Sequence, residues 1–177
     1  MLKGSRLIVI GGIKRSGTTW QYNLVRLTLL AMGRSVGIQR GRRHLDQYEG
    51  GYDDLIMKSH FHSDFAQAAA DVVFTSYRPI GEVKASLERF GGKSLGTEEI
   101  DLLIRHYRLW DQVADYRMEY EDFIRDPLKV TVEIMEVLDA GSLDPAQLLA
   151  EVNSIKPPSN ERQDPVSLYF SNHVTSE

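Results

Sequence analysis

The chain has 177 residues, 42% hydrophobic and 26% charged, enough apolar mass for one buried core and a single domain over 1–177. Its sequence holds no cysteine, which excludes a disulfide framework and a thiolate metal site, and its five histidines lack metal-site spacing. A net charge of −4, no apolar run near the roughly twenty residues that span a bilayer, and a first apolar run almost at the N-terminus predict a cytoplasmic chain. They give no reason to expect a nucleic-acid or membrane partner, and they leave oligomeric state open.

In chain order, strand and helix signals alternate, predicting a three-layer α/β/α domain around a mostly parallel sheet. The first strand is expected at Arg6–Gly11 and the first helix from Gly17 to Met32, with Trp20, Leu24, Leu27 and Ala31 on one stripe and Gly33 closing it. Gly33 to Asp53 reads as a long functional loop, with a basic cluster of Arg40, Arg42, Arg43 and His44. That cluster is either a solvated loop or a mouth for an acidic ligand. A short strand precedes Lys58, Ser63–Ala70 is helical, and Asp71–Tyr77 is a central strand. A helix opens at Pro79 and runs to Phe90, and Gly91–Gly96 is a flexible break. Further helices are expected at Thr97–Val113, Pro127–Leu138 and from Asp144-Pro145, with a strand at Arg117–Tyr120. The core spans about residues 5–156, and 157–177 reads as an irregular tail, loose or docked along the surface.

Chemistry concentrates first in Gly12-Ile13-Lys14-Arg15-Ser16-Gly17-Thr18-Thr19-Trp20, between Leu7-Ile8-Val9-Ile10 and the first helix. A strand, a glycine-bounded loop and a helix in that order aim backbone N–H groups and a helix N-terminus at one anion. The spacing is that of a nucleotide-binding P-loop, yet Thr18 stands where the lysine reaching a triphosphate is expected. Lys14 and Arg15 instead put positive charge in the loop itself. Three further stretches stand beside it. Lys58-Ser59-His60 follows Leu55-Ile56-Met57. Arg78 ends the strand after Val72-Val73-Phe74, with Ser86 eight residues on. Tyr120-Glu121-Asp122-Phe123 precedes Asp126-Pro127.

Together these resemble, in order, the motifs of sulfotransferases that use 3′-phosphoadenosine-5′-phosphosulfate (PAPS), over about Leu7 to Pro127. The resemblance implies a P-loop NTPase-like sulfotransferase fold and PAPS as donor, with no metal. Lys14, Arg15, Ser16, Gly17, Thr18, Thr19 and Trp20 would hold the 5′-phosphosulfate. Arg78 and Ser86 would hold the 3′-phosphate. Trp20 and Tyr120 would lie against the adenine. It implies that His60 is the general base, that Arg15, with Lys14 as the fallback, steadies the bridging oxygen, and that Lys58 assists on the sulfuryl oxygens. His62 is close enough to compete with His60 for that role. Glu121 and Asp122 are expected to be structural, capping the next helix. The acceptor would be a small molecule carrying a hydroxyl or amine.

The Arg-Lys-Gly motif that cytosolic members carry near their C-terminus does not occur here; the sequence closes on Asn172-His173-Val174-Thr175-Ser176-Glu177. Two readings follow: a minimal enzyme, or one whose cofactor affinity is weakened. The competing functions are a small P-loop kinase of a nucleoside or metabolite and a non-catalytic nucleotide-binding module. Thr18, and a strand at Phe74-Thr75-Ser76-Tyr77 without an acidic residue for Mg²⁺, argue against the kinase.

Overall fold

A computed structural model describes residues 4–40, 51–91, 96–158 and 163–169. Five parallel strands form one sheet in the order β2-β3-β1-β4-β5: β1 Arg6–Ile10, β2 Val36–Arg40, β3 Asp54–Lys58, β4 Val72–Tyr77 and β5 Tyr116–Glu119. The described helices are α1 Thr18–Ala31, α2 Asp64–Ala69, α3 Ile80–Gly91, α4 Thr97–Asp111, α5 Tyr120–Arg125, α6 Pro127–Val137 and α7 Pro145–Ser154.

The central strands are apolar on both faces because helices cover both faces, as parallel crossovers require. Along β1 the side chains alternate between two cores. Ile8 and Ile10 meet Trp20, Leu24 and Val25 of α1 and Val130 and Ile134 of α6. Leu7 and Val9 meet Ala66 of α2 and Trp110 of α4. Leu7, Ile8, Val9 and Ile10 are fully buried, and only Arg6 at the start of β1 is not. Helix α1 is buried along Trp20, Leu24, Val25, Thr28 and Leu29, whereas Ala31, expected on that stripe, is exposed.

The register places the site. Ile10 pairs with Lys58 of β3 and with Phe74 of β4, so the chain leaving β1 emerges between the carboxyl ends of two strands. Ligands in doubly wound sheets bind in that crevice.

The Gly33–Asp53 segment contains an element that the sequence reading missed. β2 pairs with β3 along its whole length, from Val36↔Asp54 to Arg40↔Lys58. As an edge strand of alternating character with a glycine inside it, β2 lacks a continuous apolar run. Gly37 lets Tyr52 lie on the backbone, since a Cβ there would come within 2.6 Å of the Tyr52 ring. Arg42, Arg43 and His44 fall outside the described residues, as does most of the expected Gly91–Gly96 break. Tyr120 opens the short helix α5 instead of ending β5. The cap of α6 is Asp126, which accepts from the Lys129 N–H at 3.0 Å, not Glu121 or Asp122. Residues 163–169 dock on α1: the Tyr22 hydroxyl donates to the Val166 carbonyl at 2.9 Å, and the Asn23 amide to the Ser167 carbonyl at 2.8 Å. Leu168 joins the main core. No helix among the described residues is long and apolar enough to cross a membrane.

Candidate functional site

The loop from Gly12 to Gly17 is held from below by β4. The Gly11 N–H donates to the Phe74 carbonyl at 2.8 Å. The fully buried Ser16 hydroxyl lies 2.6 Å from the Ile13 carbonyl and 2.7 Å from the Ser76 hydroxyl. Ser16 therefore braces the loop against β4 with its side chain. Gly12 and Gly17 take φ of 145° and 88°, the region that favours glycine. A Cβ on Gly12 would lie 2.6 Å from the Ser76 Oγ, and one on Gly17 2.9 Å from the Met118 Cε. Arg15 adopts φ 66° between them. A loop that alternates in this way collects backbone N–H groups into a concavity suited to an anion. Thr18 opens α1, and no acidic residue occupies its first turn. The positive end of the helix is left for a ligand.

Two groups of side chains flank the loop. On the β3 side, the Lys58 ammonium donates to the Thr19 hydroxyl at 2.6 Å. Burial pulls its pKa down to about 8, leaving it largely charged at neutral pH. His60 Nδ1 lies 2.9 Å from the Gly12 carbonyl. A carbonyl only accepts, so Nδ1 carries the hydrogen and Nε2 keeps its lone pair. Burial, with the Lys58 charge adding to it, lowers the His60 pKa to about 4. The ring is neutral at physiological pH with its second nitrogen able to take a proton. His62 differs: its ring is buried on Trp110 at 4.7 Å and bonded to Gln67, a structural arrangement.

On the β4 side, Arg78 is fixed from three directions. Its Nε donates to Glu82 at 2.9 Å, a terminal nitrogen donates to the Arg15 carbonyl at 3.2 Å, and its guanidinium lies 3.9 Å above the Tyr120 ring. Arg15 in turn donates from Nε to the buried Ser86 hydroxyl at 3.1 Å. Three residues 71 positions or fewer apart in sequence, one from the loop, one from the end of β4 and one two turns into α3, thus share one cluster. Arg15 is drawn toward Ser86, while Lys58 and His60 stand on the opposite flank. Lys14, half-buried, has no hydrogen-bond or ion-pair partner among the described residues.

Trp20 is nearly buried; its indole N–H donates to Asn153 of α7 at 3.1 Å, and its ring meets Phe123 at 4.5 Å. Phe123 also meets Tyr120 at 5.7 Å. Trp20, Phe123 and Tyr120 therefore form one aromatic series ending under Arg78. Phe123 stood in the Tyr120-Glu121-Asp122-Phe123 motif without a role of its own, and Asn153 was not singled out from the sequence. The three-residue spacing of Tyr120 and Phe123 on a helix was the signal available for the first; nothing local marks the second.

Among the described residues no group of three or more histidine, aspartate or glutamate side chains is placed to hold a metal. The strands flanking β1 end in cations, Lys58 and, just past β4, Arg78.

No family model and no curated protein sequence matches this chain. Among solved structures, it is similar to the sulfotransferase STF1 of Mycobacterium tuberculosis H37Rv, with a TM-score of 0.53 and 14% identity over 86% of this chain and 72% of that one. A looser likeness, with a TM-score of 0.47 and 13% identity, links 67% of this chain to 90% of a protein described as a possible uridine kinase from Bacillus stearothermophilus. The chain has a P-loop NTPase-like three-layer α/β/α fold with an all-parallel five-stranded sheet, a fold it shares with that sulfotransferase structure.

Proposed function

We propose that this chain transfers a sulfuryl group from PAPS to a hydroxyl or amine of a small acceptor. The observation that carries the reading is the cluster of Arg15, Arg78 and Ser86. It forms a second cationic subsite directly beside the anion loop, as a donor with phosphates at both 3′ and 5′ positions requires. The donor supplies an activated sulfuryl group whose leaving group is a phosphate.

The chain's own groups account for the rest. Loop N–H groups from Lys14 to Thr19 and the α1 terminus bind the 5′ group. Lys58, braced on Thr19, neutralises charge on the transferring oxygens. His60, neutral and fixed by Gly12, accepts the acceptor's proton at Nε2. Arg15 reaches Ser86 and cannot donate a proton, so its part is charge stabilisation. The Trp20–Phe123–Tyr120 series offers the apolar surface that an adenine needs. The kinase reading lacks a carboxylate at either strand end flanking the loop to hold Mg²⁺.

The test is turnover of PAPS against a panel of phenol, alcohol, sugar and amine acceptors, following sulfated product and released 3′,5′-bisphosphate. Wild type is expected to sulfate at least one class. His60→Ala should lose about 10²–10⁴-fold in rate with unchanged bisphosphate affinity. Phosphoryl transfer from ATP-Mg in the absence of any sulfation would overturn the reading.

A further inference from the structure

Helix α3 carries one more cation toward the cluster. Arg89 lies three residues after Ser86, which places both on one face of α3. Its Nε donates to the Ala85 carbonyl at 3.4 Å, so the side chain folds back along the helix toward the turn that holds Ser86. Burial lowers the Arg15 pKa; against a raising effect of Tyr120, the charges of Arg78 and Arg89 both push it lower still. Arg89 is therefore near enough for Arg15 to feel its charge. Glu82 pairs with Arg78, and among the described residues no carboxylate pairs with Arg89. Arg15 on the buried Ser86 hydroxyl, Arg78 on the Arg15 carbonyl and Arg89 one turn along α3 from Ser86 bring three guanidiniums to one side of the loop, a charge distribution that favours a dianion.

We infer that Arg89 is a third phosphate-binding residue of the Arg15–Arg78–Ser86 subsite and sets its preference for a nucleoside 3′,5′-bisphosphate over a 5′-monophosphate. This rests on the sulfuryl-transfer reading of the same site. A phosphate seated on Ser86 would receive donors from the loop, from the end of β4 and from α3, with Arg89 free to swing in from its exposed position.

The experiment titrates 3′-phosphoadenosine 5′-phosphate and AMP calorimetrically into wild type, Arg78→Ala, Arg89→Ala and Arg89→Lys. Arg89→Ala should weaken the bisphosphate about tenfold and leave AMP unchanged, and Arg89→Lys should restore most of the loss. Arg89→Gln, which keeps a donor for the Ala85 carbonyl, covers the case in which alanine frays the end of α3. Equal weakening of both nucleotides, or none, overturns the role of Arg89. If wild type prefers the bisphosphate, and Arg78→Ala abolishes the preference while every Arg89 variant keeps it, this inference alone fails. A wild type indifferent to the 3′-phosphate removes the sulfuryl-transfer reading and this inference together.

Discussion

Two residues at the end of β3 determine how the site answers to pH. His60 has its pKa lowered from 6.5 to about 4, so the folded chain binds fewer protons than the unfolded chain between those values. Stability is then complete above about 6.5 and is lost as pH falls toward 4, by up to about 3 kcal/mol. Thermal melts of wild type and His60→Gln at pH 7 and near pH 4.5 check this: glutamine can still donate to the Gly12 carbonyl but does not titrate. The variant should lose much less stability on acidification, and an identical loss would contradict the account. Lys58 works in the opposite window. Its charge is present below about 8 and disappears above it, so anion affinity should decline as pH rises past 8 in wild type. Lys58→Met should bind more weakly and show little of that decline, read by titration between about pH 6 and pH 10. At this scale the sequence was informative where chemistry and spacing coincide, as in Lys58-Ser59-His60. It could not reveal that Ser16 turns its hydroxyl inward or that Arg15 reaches Ser86, because the first depends on β4 and the second on α3, 60 and 71 positions away.

The loop works because β4 is pressed against it. Gly12 sits at φ 145° with Ser76 and Thr18 where a side chain would be. Gly12→Ala should cost about 1–3 kcal/mol from backbone strain and displace the N–H groups facing the anion. Chemical denaturation and bisphosphate titration of that variant should both show losses. A stable variant with full affinity would mean that the loop geometry tolerates a Cβ. Most elements were legible because their signals are local. β1 is an unbroken apolar run, Asp126-Pro127 and Asp144-Pro145 start α6 and α7, and Ser63 caps α2. β2 and α5 were not, for a five-residue edge strand with a glycine at its second position and a six-residue helix have too little pattern of their own. Their partners, β3 and α6, define them.

Across the whole molecule, the segment 163–169 closes over α1. The Leu168 side chain is buried in the main core at φ 58°, and the preceding carbonyls satisfy Tyr22 and Asn23. Leu168→Ala should destabilise the chain by about 2–4 kcal/mol through the cavity it leaves, measured by urea unfolding. An unchanged midpoint would mean that the segment is merely laid on the surface. The same architecture brings Lys58 at the end of β3, Arg15 of the loop and Arg78 just past β4 to the carboxyl edge of the sheet, and the account rests on what that edge binds. The most direct measurement is calorimetric titration with 3′-phosphoadenosine 5′-phosphate beside AMP and ATP-Mg, on wild type and Arg78→Ala. The account predicts tight binding of the bisphosphate that depends on its 3′-phosphate and falls at least about tenfold in Arg78→Ala. Preference for ATP-Mg, or equal affinity for AMP and the bisphosphate, would contradict it.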